Sequence, residues 1–301
     1  VSDRLKRGES IRHGLRRVSR QELRAARKAL SARHRPTDRA IHAARRSLKK
    51  VRAVLALVEA DVHGRPLGKS RKCLRTINRA LSPLRDADAM MASLDHLLEA
   101  DPQLFHPLAR AAVRRRLVAR KRALMRHART DGTWKTVLDG LEELTAASDK
   151  WRLRHRGFSA ITSTLARTHR RARRRMTVAE ATNHAVDFHA LRKELKMLWN
   201  QLRLLDRGGR VLHADVVALH QAEAALGDDH NIAVLVRELR EQVEEGSAAI
   251  DRQRLRRVAT RCQHALRQRA LRRVRRIFEF SAAGYVERIR RAWKDQRHAR
   301  R

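Results

Sequence analysis

Aromatic residues make up only 3% of this 301-residue chain, which also has five prolines, twelve glycines and two cysteines. Few aromatics leave little from which to build stacking platforms for single-stranded nucleic acid. Scarce Gly and Pro, with helical periodicity nearly everywhere, exclude a β-rich or linker-rich architecture and predict an all-α protein. Cys73 and Cys262 share no metal-binding or redox spacing, so they read as small buried residues of a reducing compartment. No apolar run approaches the length of a membrane span, and the opening VSDRLKRGES lacks a signal-peptide core. A cytoplasmic protein without membrane insertion is expected. A Walker-type glycine loop, a nucleophile beside a base, and helix-turn-helix or RNA-binding signatures are all missing. These absences point to a binding module rather than an enzyme, with no cofactor.

Acidic residues are also in short supply. Lys and Arg number 71 against 32 Asp and Glu, a formal net charge of +39. Such a chain repels itself unless a polyanion or many counterions neutralise it. Nucleic acid, polyphosphate or an anionic membrane face would each serve. The excess of Arg over Lys suits bidentate phosphate recognition, although a GC-rich genome leaves the same mark.

The stretch Ile41–Val58, IHAARRSLKKVRAVLALV, organises the rest. On a helix, Ala44, Leu48, Val51, Leu55 and Val58 share one side. His42, Arg45, Arg46, Lys49 and Arg52 occupy an arc of about 120° on the other. The pattern recurs 147 positions on as Phe188–Leu205, FHALRKELKMLWNQLRLL. There His189, Arg192, Lys193 and Lys196 take the corresponding places, Trp199 stands for Arg52, and Arg203 is added. A merely solvated face would keep hydrophilicity through a duplication. This one keeps the histidine, the sign of charge and the spacing.

The first helix is expected from about Leu5 to Leu30, with Arg20, Arg24 and Arg27 along one face. Thr37 or Asp38 caps the second, which ends at His63-Gly64, and a third covers about Leu67 to Leu81. Ser82-Pro83 reads as an N-cap with proline at N1, opening a helix with Asp86 and Asp88 at its start. Asp101-Pro102 marks a break before a basic helix from about His106 to Arg129, and Trp134–Lys150 forms a shorter one. The second half repeats the plan. Arg167, Arg171 and Arg174 match Arg20, Arg24 and Arg27, and Arg257 and Arg261 match Arg110 and Arg114. Leu81–Asp88 matches Leu226–Ala233 at an offset of 145, with Gly227-Asp228-Asp229 replacing the Ser-Pro cap. The expected units are a repeat over 5–129, a connector at 130–153, a second repeat over 154–276 and a C-terminal basic helix or tail at 277–301.

With both histidine helices and both later helices in view, the chain resembles the CHAD family, the conserved histidine α-helical domain. Ile41-His42…Arg45-Arg46…Leu48-Lys49 and Phe188-His189…Arg192-Lys193…Leu195-Lys196 match its h-H-x-x-R-[RK]-x-h-[KR] helix. LSPLRDADA keeps the Arg85-Asp86…Asp88 core of its LGxxRDxDV motif, whereas LGDDHNIAV keeps only Leu226-Gly227 and a loosely related His230-Asn231. The resemblance spans about residues 5 to 295, the whole chain reading as one CHAD-like unit. It implies two four-helix bundles related by pseudo-twofold symmetry with a basic groove or pore between them. It further implies binding of inorganic polyphosphate and association with polyphosphate granules. The E-x-E-x-K strand motif of a CYTH-type triphosphate enzyme is absent, so a stand-alone module is expected.

The histidines then read as phosphate donors or polar packing groups. Metal ligation is disfavoured because the next turn supplies Arg and Lys rather than further ligands. Asp86 and Asp88 read as helix-start acids in preference to a Mg²⁺ pair. The candidate polyphosphate-binding residues are His42, Arg45, Arg46, Lys49, Arg52, His189, Arg192, Lys193, Lys196 and Arg203. The stripes Arg20, Arg24, Arg27, Arg167, Arg171, Arg174, Arg110, Arg114, Arg257 and Arg261 join them, or are solvated faces. Sequence-independent nucleic-acid binding is the alternative function, because the same charges suit a DNA or RNA backbone.

Overall fold

A computed structural model describes residues 4–6, 8–31, 37–62, 65–155, 157–243 and 252–298; the side chains of 65–66, 84–88, 129, 240–243 and 296–298 lie outside that description. Ten α-helices make up the described chain: α1 (Ile11–Ser31), α2 (Asp38–Val58), α3 (Arg65–Ala100), α4 (Pro107–Thr130) and α5 (Thr133–Ser148), then α6 (Ser159–Thr182), α7 (Ala185–Leu205), α8 (Arg210–Val243), α9 (Arg252–Phe278) and α10 (Ala282–His298). No strand occurs among the described residues, only an isolated bridge between Val62 and Leu153. None of their helices is long and apolar enough to cross a membrane.

Local chemistry starts several helices where the sequence places them. Thr37 caps α2, its side chain accepting from the Ala40 amide at 3.2 Å. Asp131 accepts from the Thr133 amide at 2.9 Å ahead of α5, and the intervening Gly132 takes a φ of 75°, a left-handed conformation that costs glycine little. The apolar face of α2 is buried as its spacing requires: Ala44, Leu48, Val51, Leu55 and Val58 are all in the core.

The largest departure is in the two long helices. No helix begins at Ser82-Pro83; α3 runs through Pro83 without interruption. Interior proline removes a backbone hydrogen bond and costs about 3 kcal/mol. The burial on both sides carries the helix across: Ile77 and Leu81 before it, Met90, Leu94 and Leu97 after it. Helix α8 likewise continues through Gly227. A Cβ there would lie 3.0 Å from Arg192 Nη2, so the glycine serves close approach of α8 to that guanidinium rather than a break. Asp86 and Asp88 fall outside the described side chains, as does the expected turn at His63-Gly64. The first helix begins at Ile11 rather than Leu5; Leu5 is buried ahead of it and donates its amide to the Leu204 carbonyl at 2.9 Å.

The span expected to connect the halves folds as α5 and packs against α1 and α3. The span expected as a basic helix or tail contains the end of α9 and all of α10, and α10 packs against α6 and α8. Its apolar stripe explains this, because Tyr285, Val286, Ile289 and Trp293 are buried. Tyr285 stacks on the buried His169, ring centroids 4.4 Å apart, and donates its hydroxyl to Asp215 at 3.1 Å. The first five helices and the last five are joined by α2 against α6 and α7, and by α3 against α8 and α9. The Arg254–Asp101 pair, two contacts of 2.7 Å, ties α9 to the end of α3.

Candidate functional site

Where α2 and α3 face α6 and α7, the chain encloses a groove of about 930 Å³. Its rim carries Arg52 from α2, Arg71, Arg75 and Arg79 from α3, Arg167 and Arg171 from α6, and Lys193 from α7. Two carboxylates, Glu59 and Glu194, line the same space. Leu55, Ala56, Leu74 and Met197 give it an apolar floor, and Asn78, Ser82, Thr164 and Thr168 add neutral polar groups. Glu59 is an ion-pair partner of Arg71 and lies 3.9 Å from Arg167. Among the described residues, no carboxylate lies within ion-pair distance of Arg52, Arg75, Arg79, Arg171 or Lys193. The groove therefore holds solvent-exposed cations facing one another across two sets of helices.

The arginines of α3 recur every fourth residue, so they stack on one helical face about 6 Å apart along the axis. Sequence reasoning missed them. Their four-residue spacing was visible, but the internal sequence match has no Lys or Arg at the corresponding places: an offset of 145 puts Val216, His220 and Ala224 there.

Arg52, Arg167, Arg171 and Lys193 are thus brought together in the groove. Arg45 reaches its wall, donating from Nη1 to the Ser82 hydroxyl at 3.2 Å. Arg192 makes the corresponding approach to Gly227 on α8. Lys196 pairs with Glu223, and Arg192 Nη2 lies 3.4 Å from the same carboxylate. Burial pushes the Glu223 carboxyl up, but Lys196, Arg192 and Lys49 outweigh it and hold it below its ordinary range. Lys49 comes from the first histidine helix, so cations of both helices converge on one acid. Arg46 and His42 are exposed on α2. Arg203 lies over the Trp199 ring at 5.1 Å, and Trp199 stacks on His220 at 4.5 Å.

The other arginine stripes lie elsewhere. Arg20 pairs with Asp149 at 2.6 Å and Arg27 lies 3.7 Å from Glu142. Arg20 and Arg24 border a separate hollow of about 550 Å³ along α1. Arg110 and Arg114 border a third, of about 770 Å³, beside the α3–α4 turn, where Arg114 pairs with Asp95. Arg174, Arg257 and Arg261 are exposed. A charge that recurs at matching positions is not by that alone available: Arg267, which matches Arg120 at an offset of 147, is buried with Nε 2.8 Å from Asp229 and its guanidinium over the Phe188 ring at 4.8 Å.

His189 stacks on His230 with centroids 3.9 Å apart. Burial first, then His230, Lys193 and Arg192, lower its pKa to about 4. The free protein should therefore hold His189 neutral across the pH range where an ordinary histidine charges. Between about 6.5 and 4 the unfolded chain binds a proton that the folded one refuses, so this group's contribution to stability is lost as pH falls through that window. Imidazole NMR resonances should show His189 unprotonated at about pH 5.5, and His189→Gln should flatten part of the acid loss of stability. A His189 midpoint near 6.5 would show that its neighbours do not impose this field. A polyanion bound nearby reverses that field and should promote proton uptake.

These features place the chain among all-α domains built of two sets of helices with a cationic groove between them. The CHAD domain family model matches residues 17–240, and the chain belongs to that family, which is associated with polyphosphate binding. The CHAD domain from the plant Ricinus communis superposes with a TM-score of 0.55 at 17% identity, over 95% of this chain and 90% of that one. PptA from Streptomyces chartreusis superposes with a TM-score of 0.61 at 16% identity, over 87% of this chain and 98% of that one. At such identities the likeness concerns the fold alone. No curated protein matches in sequence.

Proposed function

We propose that this protein binds inorganic polyphosphate in the groove between α2/α3 and α6/α7, as a binding module without catalysis. The observation that carries this reading is the rim of seven cations against two carboxylates, five of the seven without an ion-pair partner among the described residues. A linear phosphate chain presents a charge at every repeat and no base edges, so cations at helical spacing engage successive phosphates without any sequence readout. Arg forks donate in pairs and Lys as a point charge. Arg52, Arg71, Arg75, Arg79, Arg167, Arg171 and Lys193 form the core of the site in this reading, with Arg45, Lys49, Arg192 and Lys196 at its flank. The two halves of the chain are taken as pseudo-twofold repeats, and the setting as cytoplasmic polyphosphate granules.

Duplex DNA is the competing ligand, because arginines on the exposed face of α9 suit a phosphodiester backbone equally well. With labelled long-chain polyphosphate bound, unlabelled polyphosphate should displace it at far lower phosphate concentration than duplex DNA does. DNA displacing polyphosphate with equal or greater efficiency would transfer the assignment to nucleic acid.

A further inference from the structure

The two histidine helices meet unlike partners on the long helices beside them. Position 78 on α3 and position 223 on α8 correspond through the 145-residue offset that also pairs Ser82 with Gly227. Both of the latter sit against an arginine of their own half, Arg45 at Ser82 and Arg192 at Gly227, so the correspondence holds in three dimensions as well. In the first half, position 78 is Asn78, a neutral side chain that lines the groove and donates only to the Leu74 carbonyl of its own helix. In the second half it is Glu223, whose side chain is 8% exposed and engages Lys196 and Arg192. One half thus places a neutral amide at this position, and the other supplies an anion of its own.

From this contrast we infer that Glu223 is a built-in competitor of polyphosphate: it occupies the anion position of the second half and limits how many cations an incoming chain engages. The inference rests on the polyphosphate reading and concerns the regulation of that same site. A carboxylate held by one lysine and one arginine resembles a phosphate oxygen in charge and in hydrogen-bond demand. A phosphate chain approaching Lys196 must displace it, whereas at the first half no carboxylate stands at the matching place. The consequence is a graded site, in which a densely charged, multiply anchored chain out-competes Glu223 and a weakly charged anion does not. Lys49 adds to this, because its field acts on the same carboxylate from the other histidine helix. Freeing that acid's partners would extend the cationic surface from the α2 face to the α7 face.

Affinity for sodium polyphosphate of one defined length, measured by calorimetry at fixed salt, tests the inference. Glu223→Gln should tighten binding by about fivefold or more, the lower end of a coupling between competing sites. Glu142→Gln removes an equal charge on α5 beside Arg27 and should change affinity by less than about twofold, in line with a solvent-exposed ion pair. Lys196→Gln should cost more affinity in the Glu223→Gln background than in the unmodified chain, because there Glu223 no longer neutralises the ammonium. Glu223→Asn installs the side chain of the first half and provides a second reading should Glu223→Gln lose helix content by circular dichroism. Unchanged or weaker binding in the folded variant, or a gain no larger than that of Glu142→Gln, would overturn the inference and make Glu223 a positioning group for Lys196. Absence of polyphosphate binding by the unmodified chain would instead remove the reading on which it rests.

Discussion

Raising the salt from about 50 to about 200 mM is expected to weaken polyphosphate binding by about 10³- to 10⁵-fold, the range found when six to ten phosphate contacts release counterions. Seven cations ring the groove, which places the protein within that range. Each cation that neutralises a phosphate releases counterions condensed on the polyanion, including Arg71, whose pairing with Glu59 must first be exchanged for the phosphate. A plot of log affinity against log salt should therefore be steep and linear. A flat titration would refute an electrostatic groove, since no aromatic side chain among the described residues lines it to replace the lost charge interactions.

The second large effect separates the groove from bulk charge. Changing Arg71, Arg75 and Arg79 together to Gln should weaken polyphosphate binding by about 10²-fold, at about fivefold for each arginine that meets a phosphate. These side chains are exposed on α3, so helix content and thermal stability should change little. The charge-matched comparison is Arg272, Arg273 and Arg276 to Gln, three exposed arginines of α9 that do not line the groove. That variant loses the same net charge and should lose less than about fivefold in affinity, as expected of long-range attraction screened by salt. Equal losses from the two triples would mean that the net charge of +39, and not the groove, governs binding.

The amino-acid sequence by itself determined the helical class, the family and the faces of the helices. Period 3.6 is a local property, and it fixes which side of each helix is apolar before any neighbour is known. Ala44, Leu48, Val51, Leu55 and Val58 are buried as that period demands. Thr37 caps α2 for an equally local reason, a side-chain oxygen within reach of an amide three residues on. Local rules failed where burial further along the chain outweighed them: Ser82-Pro83 has the chemistry of a helix start, yet the apolar residues flanking it hold α3 continuous. The same cause made a packed α10 of what composition shows only as a basic terminal stretch. Tertiary structure alone decided which cations converge. Helical periodicity gives the angle of Arg75 about its own axis but not that α6 and α7 stand opposite it, so Arg71, Arg75 and Arg79 could not be joined to Arg167, Arg171 and Lys193 from spacing. Nor could one glutamate on the polar face of α8 be recognised as the shared counterion of Lys196 and Arg192, because ion pairing depends on distances between helices and the sequence records only distances along them.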